Sequence, residues 1–281
     1  MISERNSMRE LLTNPRFISG SLIVAFFIFC AIAAPWLSPH KLEEADFMDR
    51  LCQPSHLHPL GCDVFGADIL TVMLYGAQTS LYVGFLTVLL SLTIGVTIGL
   101  VSGFFGSWVD TLLMRIVDIF MAFPGILLAM SLTALMGPSI STVIFAIAAT
   151  GWTSAARIVR AQVLTLRERE FVLAARAIGA SKRSLMFRHI LPQTLSPLIV
   201  HATFSLSGVI IIEAGLSYLG LGAQDGALTW GGLLGQGSEI QLNRAPHITI
   251  VPGVAIFMLV IALNFMGDAL RDTFDPKQQE S

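Results

Sequence analysis

The sequence predicts an all-α integral membrane protein with about six transmembrane helices. Three observations predict it. Apolar runs long enough to cross a bilayer, which takes about 20 residues, recur along the whole chain. Only 13% of the 281 residues are charged, against 54% hydrophobic, where a soluble domain carries roughly 25% charge. The few charges are also unevenly placed, as the span order below brings out.

The runs cover residues 17–37, 81–101, 112–135, 140–156, 195–216 and 248–266. The first follows Arg5, Arg9 and Arg16, and Ala31-Ile-Ala33 resembles a signal-peptide cleavage site. The run is longer than a signal h-region and Pro35 sits just after the cut, so it is read as a retained anchor. With the N-terminus in the cytoplasm and six spans alternating, 14 of the 17 Lys and Arg residues fall on inner segments and three (Lys41, Arg50, Arg244) on outer ones. The positive-inside rule selects that orientation. The chain then divides into a cytoplasmic segment 1–16, an anchor 17–37, an extracytoplasmic segment 38–80, a core 81–270 that includes a cytoplasmic loop 157–194, and a cytoplasmic tail 271–281. No fixed-period repeat is visible, and the absence of a basic or acidic tail gives nucleic acid binding no support.

Within the second span, Gly95, Gly99 and Gly103 share one helix face, where another backbone can approach closely. Pro124 and Pro252 fall inside the third and sixth spans; kinks there suit a moving transporter and also occur in static bundles. Arg115 and Asp118 are spaced to pair on one helix face. Glu213 follows Ile210-Ile-Ile212 with no adjacent base. A carboxylate in lipid faces the bundle interior or a water-filled path, so it either lines the path or an outer gate, or pairs with a neighbouring helix.

The loop between the fourth and fifth spans does not look like membrane. Residues 166–178 suit a short helix, with Leu166, Phe171, Val172, Ala175 and Ile178 forming an apolar side. Gly179 is a good helix terminator and Ser181 a good N-cap for a second helix, which Pro192 should stop. Ala174 and Ala175 permit close contact with a receiving surface.

On the outer side, Cys52 and Cys62 share a segment where oxidation is permitted, and a disulfide between them is expected. Cys30, in an apolar run, reads as a packing residue. His56, His58 and Cys62 have a spacing that could touch a metal, though such a cluster is more often an ordinary loop. No Gly-Lys-Ser/Thr phosphate loop, His-Glu-x-x-His or Gly-x-Ser-x-Gly motif is present. The chain is therefore read as not an enzyme, with no cofactor or metal of its own.

The run Leu173-Ala174-Ala175, Gly179, Leu191-Pro192 resembles the cytoplasmic "EAA" loop of ABC-importer permeases, with Leu173 at the usual Glu and His189 at the usual Ile. Glu170 and Arg176 belong to the same loop. His58-Pro-Leu-Gly61 with Asp63, Gly66 and Asp68, then Met114-Arg-Ile-Val-Asp118, Phe123-Pro124, Arg167-Glu-Arg-Glu-Phe171, Ser217-Tyr-Leu-Gly-Leu-Gly222 and Trp230-Gly231 are similar to the branch serving dipeptides, oligopeptides and nickel. The resemblance covers nearly the whole chain. It implies the type I ABC importer permease fold with cytoplasmic coupling helices, in a bacterial inner membrane. It also implies half of a translocation pore, completed by a second homologous permease. Two cytoplasmic ATPases, which carry the ATP and Mg, and an extracytoplasmic binding protein are the other partners. Leu219 and Leu221, with Glu213, are the pore or gate candidates. A stand-alone secondary transporter is the alternative function, and an intramembrane enzyme a weaker one.

Overall fold

The computed structural model describes residues 10–41, 46–222, 227–237 and 244–274. Among them the regular elements are all helical, and the only β-type pairing is an isolated bridge between Cys62 and Asp68. In chain order the helices are α1 (Pro15–Leu37), α2 (Ile69–Phe105), α3 (Ser107–Ala122), α4 (Gly125–Met136), α5 (Ile140–Leu166), α6 (Glu170–Ala177), α7 (Lys182–Tyr218), α8 (Trp230–Gly235) and α9 (His247–Phe274). The tail beyond 274 lies outside the described residues.

Among the described residues, five helices (α1, α2, α5, α7 and α9) are long and apolar enough to span a bilayer. The expected third span, 112–135, is instead two helices, α3 and α4, meeting at 82°. Pro124 causes the break: it donates no N–H, and it forces Phe123 into an extended conformation (φ −91°, ψ 136°). Pro252 does not break α9, which runs on to Phe274. The segment read as extracytoplasmic, 38–80, turns helical at Ile69. Asp68 caps α2 by accepting from Thr71 N at 2.8 Å, so residues 69–80 are already helical.

α2 and α5 make the most extensive helix pair. A Cβ on Gly95 would stand 2.6 Å from Trp152 O, one on Gly99 2.5 Å from Ala156 O, and one on Gly103 2.8 Å from Val163 Cβ. The three glycines thus let the α2 backbone rest on α5. Gly20 does the same for α1, where a Cβ would meet Ala262 O of α9 at 2.5 Å.

α8 is a wedge. Its Trp230 is buried, donates from Nε1 to Met73 O at 3.0 Å, and meets the Phe27 ring edge-on at 5.3 Å. One side chain therefore joins α1, α2 and α8. The apolar core is divided along the bundle. Leu100, Val163, Val172, Leu185 and Ile190 cluster at the end where α2 finishes. Val64, Ile69, Leu233 and Ile248 cluster at the end where it starts.

Replacing Gly99 with Leu should lower stability by about 1–3 kcal/mol through overpacking, seen as a fall in melting temperature in detergent. Gly208, whose Cβ would meet nothing within 4 Å, should accept Ala with no loss.

Candidate functional site: the loop helix, the α7 stripe and the buried carboxylates

α6 is short because its end is specified. Gly179 has φ +89°, a conformation that glycine adopts without strain. Ala180 N donates to Ala175 O and Gly179 N to Arg176 O, at 3.0 and 3.1 Å. These bonds satisfy the last carbonyls of the helix. Two residues later Ser181 caps the next helix, its Oγ accepting from Ser184 N at 3.2 Å.

The apolar side expected for this helix is split in two. Val172 and Ala175 are buried, in the cluster with Leu185, Met186 and Ile190. Phe171 and Ile178 are 44% and 88% exposed. With Ala174 they stand at i, i+3 and i+7, so they share a second face turned away from the bundle. Eight residues carrying apolar groups on two sides cannot bury both in one chain. Glu170, Leu173 and Arg176 are exposed around that outer face.

Pro192 does not stop the second helix. Lys182–Tyr218 runs as one rod, passing through a π stretch (Leu185–Ile190) and a 3₁₀ turn (Leu191–Thr194). Leu191 N donates to Met186 O, five residues back. The wider turn accommodates the proline ring without ending the helix. Leu191 is half-buried and Pro192 exposed.

Higher on α7, His201, Ser205, Gly208, Ile212 and Gly215 recur at i, i+4, i+7, i+11 and i+14, which is one helical stripe. A Cβ on Gly208 or Gly215 would meet nothing within 4 Å. Beside the stripe lies a cavity of about 190 Å³, walled also by Ser91, Thr150 and Ser154. Ser91 Oγ is buried there with no hydrogen-bond partner, and Ser205 Oγ lies 3.3 Å from His201 Nε2. This polar, small-residue stripe was readable from its spacing but was not singled out from the sequence.

Glu213 sits on the same rod and turns the other way. It is 2% exposed. Its Oε2 accepts from Ser80 Oγ of α2 at 3.2 Å and its Oε1 from Ser217 Oγ at 2.8 Å. Of the two readings open for this residue, the geometry matches pairing with a neighbouring helix. Leu219 is 54% exposed at the end of α7. Leu221 N folds back on Leu216 O at 2.8 Å, and its side chain packs against the Val83 and Val143 cluster.

The anticipated Arg115–Asp118 pair gives way to another. Asp118 accepts from Arg157 Nη2 at 2.6 Å, and Asp110 receives both Nε and Nη2 of Arg160. Ser102 Oγ also donates to Asp110. α5 thus ties down α3 from across the bundle. A carboxylate reached by a guanidinium fork is held more firmly than one reached by a neighbour on its own helix. Partners 50 residues apart left no local signal in the sequence.

At the far end, Cys52 and Cys62 form a disulfide with Sγ atoms 2.05 Å apart. Asp63 accepts from Phe65 N and Ala67 N at 2.8 and 2.9 Å. Burial nevertheless pushes its carboxyl above the usual range. Alkylation without reductant should label one cysteine per chain, Cys30, and reduction should raise that to three. Serine at both Cys52 and Cys62 should lower stability by about 2 kcal/mol.

Residues 95–280 match the family described as binding-protein-dependent transport system inner membrane component. Residues 5–59 match the N-terminal transmembrane domain of oligopeptide transport permease C. The chain is 42% identical to the dipeptide transport system permease protein DppC of Alkalihalophilus pseudofirmus, over 98% of this chain and 90% of that one. It is 39% identical to the glutathione transport system permease protein GsiD of Pectobacterium atrosepticum, over 97% and 91%. An inward-facing structure of the MetNI methionine ABC transporter shares the fold, with TM-score 0.57 and 20% identity over 74% of this chain and 98% of that one. From its two opposed loop-helix faces to its glycine-seamed bundle, the chain is a membrane-spanning transport subunit and not an enzyme, and it belongs to the family of binding-protein-dependent transport system inner membrane components, as an ABC-importer permease of the dipeptide and oligopeptide class.

Proposed function

We propose that this chain forms half of the pore of an importer for short peptides, driven by two ATPases that grip α6. The observation that carries the reading is the exposed stripe Phe171, Ala174 and Ile178. It lies at the end of the bundle where the charge distribution puts the cytoplasm. An apolar face outside the bilayer needs a protein partner. Leu173 replaces the Glu of the resembled loop, so the grip relies on shape and apolar contact. Relatives named for dipeptide and glutathione transport support short peptides as cargo.

A second homologous permease completes the pore, and an extracytoplasmic binding protein delivers the cargo. Both termini face the cytoplasm, and residues 38–68 face outward. The α7 stripe from His201 to Gly215 is the segment best suited to wall the path, because its small and polar side chains leave room and hydrogen-bonding capacity for a hydrated solute. Glu213 then braces α2 against α7 behind that wall.

The test is reconstitution with a sister permease, both ATPases and a binding protein in proteoliposomes. Uptake of a labelled short peptide should require ATP and vanish when the ATPases are left out. Transport by this chain alone would overturn the reading. Gly179→Val forces a β-branched residue to φ +89°, which is strained by about 1–3 kcal/mol. That variant should still insert and hydrolyse ATP with its partners while uptake falls about tenfold. Normal coupling would remove α6 from the mechanism.

A further inference from the structure

At the end of the bundle opposite α6, His40, His58 and Asp68 each place one ligand atom within 4.8 Å of the others. They come from three separate stretches. His40 lies just past α1, His58 lies in the loop closed by the disulfide, and Asp68 is the N-cap of α2. We propose that these three side chains bind a divalent transition-metal ion of the zinc, cobalt or nickel type, which clamps the end of α1 to the start of α2.

The chemistry of the donors and their spacing carry this. His58 Nδ1 lies 3.2 Å from Asp68 Oδ1. Two ligands bound at about 2.0–2.1 Å in a tetrahedral site are separated by roughly 3.3 Å. The His58–Asp68 pair already has the length of one edge of such a site. The ion takes the place of the hydrogen bond between them, and the imidazole stays neutral by carrying its proton on Nε2.

The third donor is pre-oriented. His40 Nε2 lies 3.0 Å from Leu57 O. A carbonyl can only accept, so Nε2 carries the proton and Nδ1 keeps its lone pair. Holding one ring nitrogen on a carbonyl is how metal-ligating histidines are commonly oriented. The His40 ring stacks on His58, centroids 4.7 Å apart. One ligand atom of His40 already lies within 4.8 Å of those of His58 and Asp68.

The surroundings hold the site in place. Asp68 has a fully buried side chain, and its second oxygen accepts from Thr71 N and Thr71 Oγ1 at 2.8 and 2.9 Å. Ser38 Oγ reaches Thr71 Oγ1 at 2.9 Å, which brings the end of α1 to the same point. The Cys62–Asp68 bridge and the bond from Ile69 N to Gly61 O, 3.0 Å, fix the N-cap. Cys52 and Cys62 also come within reach of His58. Their sulfurs are bonded to each other, so neither offers a thiolate. The donor set is therefore two imidazoles and one carboxylate. Imidazole favours zinc, nickel and cobalt, whereas calcium and magnesium want oxygen ligands.

The test uses the full-length, tag-free chain in detergent, stripped with EDTA and titrated with cobalt. A visible absorption band typical of four-coordinate cobalt should grow to one equivalent and be displaced by zinc. Zinc should also raise the melting temperature. His40→Gln should weaken binding at least about tenfold and should shrink the rise in melting temperature that zinc gives over EDTA. His58→Gln should abolish the band, and His56→Gln should leave it intact. The proposal is overturned if dialysed wild-type protein retains no zinc, or if His40→Gln binds cobalt as wild type does. Neither readout needs ATPases or transport, so failure here leaves the peptide-importer reading standing, and the reverse also holds.

Discussion

The contact on which the rest of the bundle depends is the backbone approach of α2 to α5. In lipid there is little hydrophobic force between helices, so close van der Waals packing must hold them. Gly95, Gly99 and Gly103 permit it by leaving nothing between the two backbones. With α5 set at that distance, Arg160 reaches Asp110 and Arg157 reaches Asp118. Arg167 Nη1 also reaches Gly103 O at 2.9 Å. α3 is thereby fastened beside the pair. Val163 at the end of α5 then offers α6 and the base of α7 the apolar floor on which Val172, Ala175 and Ile190 sit.

The two ends of the bundle are finished by different means. At the α6 end, short helices are punctuated by Gly179 and Ser181, and buried alkyl side chains anchor them. At the other end a disulfide, a bridge and an N-cap fold a polar segment that has almost no core of its own. Long helices need no such devices, because each satisfies its own backbone. Where the chain leaves the bilayer it must find other partners, and there the sequence becomes rich in Gly, Pro, His and Cys.

Much of this was readable from sequence. Hydropathy located the spans, because length and apolarity decide them. The spacing of glycines located the tight face, and the Ala-Ala-x-x-x-Gly run located the loop helix. What escaped was non-local. Asp110 finds Arg160 across 50 positions, and Ser80 finds Glu213 across 133. Nothing in either neighbourhood announces the partner. The 82° turn at Phe123–Pro124 was visible as a proline but not as an angle, since a bundle can either straighten or exploit such a site. Pro192 misled in the opposite direction: a π turn absorbed it, and the helix continued.

That absorbed proline gives α7 a mechanical character. From Lys182 to Tyr218 the rod has 37 residues, about 55 Å at 1.5 Å per residue. One end lies beside α6, and the other carries Glu213 and Leu219. A tilt of about 5° at the base would sweep the tip by roughly 5 Å, near one helical pitch. The π stretch Leu185–Ile190 sits at the base, where the i to i−4 ladder is interrupted. Any tilt of α7 would therefore be felt most at its far end, where Ser80 of α2 holds Glu213.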